Sequence, residues 1–468
     1  MPTAGCPRPG AGNRAASRPL LQTVRSNRAR TGLVLSLLLS AGGCDNLRRA
    51  ADGLLDDRTP RQRYVDALTA AGLHGTALAN DWTAAADRAL RDAPLVTSPH
   101  EELGYLAPGE PVAIALRVRV RQGQEITLEM DLPGDSTTTV FLDAWAIDST
   151  RALDHLSSAD SGARFIRVTP RRDGEVIVRA QPELLRGGRF RATLRLAPTL
   201  AFPLRSGSER DIGSRFGAPR DAGARSHQGI DIFARRGTPV IAASAGVVNR
   251  VNETDLGGKV VWLRDTFGNS LYYAHLDSQA VSSGMRVNVG DTIGFVGNTG
   301  NARTTPPHLH FGVYRRGDGP VNPYWFVYRP RGNLPRLVAD TTRLGRWIRP
   351  ASVRALLLTA PNVRADTVQR LERHTAMRVL SAAGEFYRVR LPDGLTGFVS
   401  SRLTESADRA IATIPAGEVI LARPAVTHSP GDVVAVVEAG ETVGVLGRFG
   451  EFSLVRSSRG VAGWVIQQ

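Results

Sequence analysis

His308-Leu309-His310-Phe311-Gly312-Val313-Tyr314 reads as a β-strand, because its aromatic and β-branched residues favour extended backbone. Successive side chains of a strand point to opposite faces, so His308 and His310, two residues apart, share one face. Upstream, Leu271-Tyr272-Tyr273-Ala274 reads as a second strand that runs into His275, and His227-Gln228-Gly229-Ile230-Asp231 adds another imidazole and a carboxylate. Fully extended, His227 and Asp231 would lie roughly 13 Å apart at ~3.3 Å per residue. Side chains that meet at one point therefore require a bend, and Gly229, without a Cβ, allows a turn or bulge between them. Four of the nine histidines fall in this 84-residue window, which independent structural roles account for poorly.

Two neutral imidazoles and one carboxylate make a three-ligand set that leaves Zn²⁺ an open fourth position for water. In such a site the pKa of bound water falls to about 7, which suits hydrolysis. Spacing alone leaves open whether His308 or His310 is a ligand. An imidazole beside the metal, with an ordinary pKa of about 6.5, can accept the water proton and pass it to a leaving amine, and another can hydrogen-bond a developing oxyanion. The glycines and small residues of 289–300 punctuate turns and strand ends and are assigned no chemistry.

SHQGIDIFARRGTPVIAASAGVV (226–248), GNSLYYAHLD (268–277), VNVGDTIGFVGNTGNARTTPPHLHFGVYRRG (287–317) and VNPYWF (321–326) together resemble the lysostaphin/LytM-type zinc endopeptidases that cut peptidoglycan peptide bridges. The resemblance runs from Phe216 to Phe326, about a quarter of the chain. It implies one Zn²⁺ held by His227, Asp231 and His310, with His275 and His308 as the catalytic pair that does not bind metal. No motif position departs from the active pattern. That weighs against a non-catalytic regulator of wall hydrolases with the same fold; a wall-binding adaptor is the other alternative, and zinc content separates it.

At 468 residues the chain exceeds one core, and 42% hydrophobic with 22% charged residues is ordinary for a globular protein and argues against disorder. The first 43 residues read as an export signal: six arginines up to Arg30, an apolar run Leu33–Leu39, then small residues before Cys44. Ser40-Ala41-Gly42-Gly43-Cys44 resembles a bacterial lipobox, with Ala41 where leucine is more usual, which implies a lipid anchor at Cys44 and an address in the cell envelope. Loss of the six arginines takes the formal charge from +15 to +9. Basic charge suits anionic wall polymers or phospholipid surfaces. No nucleic-acid-binding motif is present, and no nucleic-acid partner is expected.

The expected fold is mainly β and multidomain. After the signal (1–43) comes a helical region (45–98), where Thr59-Pro60 offers a cap and a first-turn proline and a second helix runs around Asp81–Asp92. VAIALRVRV, QEITLEMDL, TTVFLDAWAI, ARFIRVT, EVIVRA and RFRATLRLA alternate with period two and predict a β-sandwich over 99–200, its charged residues on solvated outer faces. The antiparallel zinc peptidase domain spans 201–335. Beyond it the sequence repeats at an offset of 66: Leu380, Gly384, Glu385, Phe386, Val389, Arg390, Gly394, Gly397, Phe398 and Val399 match Leu446, Gly450, Glu451, Phe452, Val455, Arg456, Gly460, Gly463, Trp464 and Val465. Each copy (345–406 and 407–468) resembles a bacterial SH3-like domain, which implies binding to wall peptides. The aromatics Phe386, Phe398, Phe452 and Trp464 are expected to fill small cores. Because the site lies within 227–310, the sequence also predicts that a chain ending near Pro335 keeps a working peptidase.

Overall fold

Thr59 caps the first helix, Pro60–Ala70: its Oγ1 accepts from Gln62 N at 3.2 Å, and the Gln62 side chain takes the Thr59 N–H at 2.7 Å. The computed structural model describes residues 58–133, 137–415, 419–421, 433–436 and 441–466. Residues 1–43, read above as an export signal, Cys44 and the start of the 45–98 region lie outside them. The second helix, Ala77–Arg91, buries Trp82 against Tyr64 and Phe141, with its indole N–H donating to the Pro182 carbonyl at 2.9 Å. None of the helices among the described residues is long and apolar enough to cross a membrane.

The alternating segments become strands as their period requires. Ile114–Val120, Val140–Ile147 and Gly174–Pro182 belong to one sheet. Gln124–Asp131, Phe165–Val168 and Gly188–Pro198 belong to another, and their inward residues share one core with those of the first sheet. Two expectations need correction here. His100–Leu106 is also a strand, although its HEELGYL text is too charged to read as one. Nor are all charges on solvated faces: Asp143 and Arg179 form a buried pair at 2.7 Å, and Glu102 is fully buried.

Glu102 is buried because of what lies beyond the His100–Leu106 strand. Its sheet does not end there but continues by antiparallel pairing with Met377–Ala383, with Leu103 opposite Ala382 and Gly104 opposite Ser381. Glu102 accepts from Ser381 Oγ at 2.6 Å and has His100 Nε2 at 3.1 Å and Arg388 Nη1 at 3.6 Å. Gly104 is required there, since a Cβ would meet the Phe190 ring at 2.3 Å and the Leu380 carbonyl at 2.7 Å.

A chain ending near Pro335 would therefore uncover the edge of the His100–Leu106 strand and take Ser381 and Arg388 away from Glu102. Beside the sequence expectation that such a chain keeps a working peptidase stands a structural one, that its 99–200 segment loses stability. Burial pushes the Glu102 carboxyl up, but Arg388, His100 and Ser381 outweigh it and bring its pKa down from 4.5 to about 2. The depressed value means stability that is present above about pH 4.5 and lost as pH falls towards 2, on the order of 3 kcal/mol. Unfolding followed between pH 7 and pH 3 should show this acid slope in the natural protein and a shallower one in Glu102→Gln.

In the central segment, Ile230–Phe233, His308–Arg315, Ser270–Gln279, Gly258–Asp265 and Gly246–Thr254 are successive antiparallel neighbours. One face of this sheet carries Ile230, Ile232, Leu263, Leu271, Tyr273, Leu309, Phe311 and Val313 into a core. Period two leaves Asp231, His310, Tyr272 and Trp262 on the other face.

The 66-residue repeat is also a repeat of structure. Met377–Ala383, Phe386–Arg390 and Thr396–Ser400 recur as Thr442–Phe449, Phe452–Arg456 and Ala462–Ile466. Register shifts fall at equivalent places, between Val379 and Ser381 and between Val445 and Gly447. Gly384 and Gly450 turn with φ of 57° and 54°. Phe386, Phe398 and Trp464 are buried, whereas Phe452 is half-buried. Trp464 packs edge-on against Trp347 at 5.6 Å, joining the second copy to the first.

Candidate metal centre

Asp231 and His310 face each other because their strands pair in register, Asp231 opposite His310 and Ile232 opposite Leu309. His227 lies just before the first of these strands and reaches the same point through the bend at Gly229. The glycine has a tighter reason than turn formation: a Cβ there would sit 2.5 Å from the Phe311 carbonyl and 2.7 Å from the His310 ring. His227 Nε2, Asp231 Oδ1 and His310 Nδ1 lie 2.9 to 3.0 Å from one another.

These atoms fit a metal ion on their own chemistry. His227 Nδ1 lies 2.9 Å from the Arg215 carbonyl, to which it donates. A neutral His227 then shows only a lone pair at Nε2, facing a carboxylate oxygen at 3.0 Å, and lone pairs so placed repel unless a cation lies between them. Tetrahedral ligands at 2.0–2.1 Å from Zn²⁺ would be about 3.3 Å apart, close to the observed spacing. Burial pushes the Asp231 carboxyl up, but the close imidazoles of His227 and His310 hold it well below the usual carboxylate range. Burial pushes the His310 imidazole down, with Asp231 acting in the opposite direction.

His308 stands apart from this group. Its Nδ1 donates to the Pro306 carbonyl at 2.9 Å, which leaves the Nε2 lone pair available to the cleft, and its ring is 5.0 Å from that of His275. His275 is placed by strain. Its φ is 61°, a left-handed value uncommon outside glycine, and the pairing of its strand shifts register between Tyr273 and Leu276 and again between Leu276 and Ser278. Its N–H donates to the Gly257 carbonyl at 2.7 Å and its Nδ1 to the Thr299 carbonyl at 2.9 Å. Burial pushes its pKa down to about 4, so the ring is neutral at pH 7. The 289–300 segment thus does more than turn, since the Thr299 carbonyl orients His275.

Sequence reasoning missed two features. Arg220 Nη2 donates to Asp231 Oδ2 at 2.5 Å and to Ser214 Oγ at 2.8 Å, turning Oδ1 toward both imidazoles. Removing such a support costs about 10- to 100-fold in metal affinity, so Arg220→Ala should release zinc to a chelator correspondingly more readily while the fold persists by circular dichroism. The second is an aromatic wall: Trp262 lies 4.3 Å from Tyr272 and 5.2 Å from Tyr314, with Tyr272 5.7 Å from His310. Burial and the neighbouring Tyr314 push the Tyr272 hydroxyl up to about 12, so it stays protonated. Large aromatics on the face opposite a core were the available signal. The cleft between this wall and the metal centre has a volume of ≈ 640 Å³, and every described residue lining it falls within 214–314.

The model of Peptidase family M23 matches residues 225–323. The chain is 36% identical over 135 residues to the L-Ala--D-Glu endopeptidase of Bacillus subtilis (strain 168), covering 26% of this chain and 41% of that protein. It is 42% identical over 99 residues to the DD-carboxypeptidase/endopeptidase Mpg of Neisseria meningitidis serogroup B (strain ATCC 13091 / M2091), covering 21% and 22%. The chain therefore spans less than half the length of these curated relatives. The catalytic domain of lysostaphin from Staphylococcus simulans aligns at 31% identity over 24% of this chain and 86% of that chain, with a TM-score of 0.22. The stretch that matches Peptidase family M23, 225–323, is the one that contains His227, Asp231, His275, His308 and His310.

Proposed function

We propose that this protein is a zinc-dependent endopeptidase that hydrolyses peptide bonds in the stem or cross-bridge peptides of peptidoglycan. The observation that carries the reading is the meeting of three ligand atoms, His227 Nε2, Asp231 Oδ1 and His310 Nδ1, in a cleft that two further imidazoles also line. Relatives named as wall peptidases support the substrate class. Zinc, when bound, polarises a carbonyl and lowers the pKa of water.

The rest of the work falls to the chain. His227, Asp231 and His310 hold the ion, and Arg220 fixes the carboxylate. His308 and His275, each with Nδ1 tied to a backbone carbonyl, offer Nε2 to the reacting groups. One takes a proton from water and delivers it to the leaving amine, and the other hydrogen-bonds the developing oxyanion. Tyr272 and Trp262 confine the peptide on the far side.

The 99–200 segment is a β-sandwich in this reading. The two C-terminal copies are SH3-like modules that bind wall peptides, and Cys44 carries a lipid that holds the protein at an envelope membrane after export. Digestion of purified wall by the full-length protein, with mass analysis of the fragments, tests the function. New peptide termini that vanish with a zinc chelator are expected, and an undigested wall would refute the reading.

A further inference from the structure

Val321-Asn322-Pro323-Tyr324-Trp325-Phe326-Val327-Tyr328 sets four large aromatics around one short helix, Tyr324–Val327. A single turn has only one face to give to a core. Phe326 and Val327 take it, and Tyr324, Trp325 and Tyr328 stay half-buried. We propose that Trp325 is the floor of a second binding site, a pocket that takes a pyranose ring of a glycan. This goes beyond the endopeptidase reading and does not require it.

The pocket has a volume of ≈ 290 Å³ and is lined by Trp325, Asn322, Gln122, Arg172 and Asp173. These residues come from two segments, the 99–200 strands and the end of the peptidase segment, and small-molecule sites favour such junctions. The junction is firm. Gly123 turns with φ of 95°, a Cβ there would run into the Phe326 ring, and the Leu200 N–H donates to the Phe326 carbonyl at 2.9 Å. Tyr324 and Tyr328 fix the Trp325 ring, meeting it nearly perpendicular at 5.0 and 5.4 Å. Asp173 is aimed by Arg121 Nη1 and by the Gln122 N–H, each at 2.8 Å. Among the described residues the Asn322 amide nitrogen and the Arg172 guanidinium have no partner.

This is the chemistry a sugar ring asks for. The C–H groups on a pyranose face are weakly positive and stack on the negative face of an aromatic ring. Each hydroxyl both donates and accepts, and planar carboxylate, amide and guanidinium groups offer the paired partners that neighbouring hydroxyls need. An extended peptide would instead ask for backbone groups, and the N–H groups of Gln122 and Tyr324 are already taken by Asp173 and Asn322. Two contacts tie the pocket to the metal centre: Arg215 lies over the Tyr324 ring at 5.5 Å, and its carbonyl accepts from His227. A substrate that joins peptide to sugar is then held at both places.

The test is saturation-transfer NMR on the full-length protein with tri-N-acetylchitotriose and, in parallel, cellotriose, which lacks the acetamido groups. Transfer to either supports the site, with a dissociation constant on the order of 1 mM for so small a pocket, and the tighter binder names the class of glycan. Trp325→Ala should weaken binding roughly tenfold, the upper worth of an aromatic contact. Asn322→Ala and Arg172→Ala, both at exposed positions, should each cost about fivefold, the scale of one hydrogen bond, with circular dichroism unchanged. Should Trp325→Ala not fold, these two decide. No transfer to either sugar, or binding that survives the substitutions because the tail or the zinc cleft holds the sugar, would overturn the proposal. Binding is read without turnover, so its outcome is separate from that of the endopeptidase reading.

Discussion

Asp231→Ala is expected to lose bound zinc and wall hydrolysis together. Among the described residues Oδ1 is one of three protein donors at the centre, and the two remaining imidazoles give two contacts where catalytic zinc sites use three. The substitution also leaves Arg220 facing His227 and His310 with no carboxylate between them, so positive charge replaces attraction at the point where a cation must sit. The loss of affinity should exceed the 10- to 100-fold expected for the supporting arginine. Metal content of the purified full-length variant, read beside its circular dichroism, makes the measurement. A folded Asp231→Ala protein with full zinc would remove Asp231 from the ligand set.

The second large effect should separate metal binding from chemistry. His308→Ala and His275→Asn are expected to retain zinc and to slow turnover by roughly 10²- to 10⁴-fold, the usual worth of a positioned acid or base. Asparagine is the better replacement at 275, because it tolerates the left-handed backbone that His275 adopts. The fall should appear in kcat more than in KM, since neither ring makes the aromatic wall that confines the peptide. Turnover near that of the natural protein in both variants would mean that these imidazoles serve the fold alone.

Much of this site was legible because short-range rules governed it. Alternation placed His308 and His310 on one face, and the four-residue gap from His227 to Asp231 demanded a bend that the chain makes at Gly229. What spacing could not supply was pairing. It left open which of the two strand histidines joins the carboxylate; the resemblance implied His310, and register with Asp231, which depends on residues far apart in the chain, brings that ring there. The left-handed turn at His275 was hidden for a similar reason, since it is held by the Gly257 and Thr299 carbonyls from other segments. His100–Leu106 escaped notice because its polar residues face inward toward partners nearly 280 positions away, as in the bond between Ser381 and Glu102. Local pattern cannot announce a buried charge whose partner is so distant.

The sheet that runs from the 99–200 segment into the first C-terminal copy changes what that tail can do. A module on a loose linker searches a volume, and linker length sets its effective concentration. Here the first copy is part of the same hydrogen-bonded surface as the N-terminal strands, and Trp464 locks the second copy to the first. Anything the tail grips is therefore presented at a set distance and angle from the peptidase groove. Were the tail to bind wall as proposed, the enzyme would act less like a tethered blade than like a caliper, productive only where both features stand at the matching span.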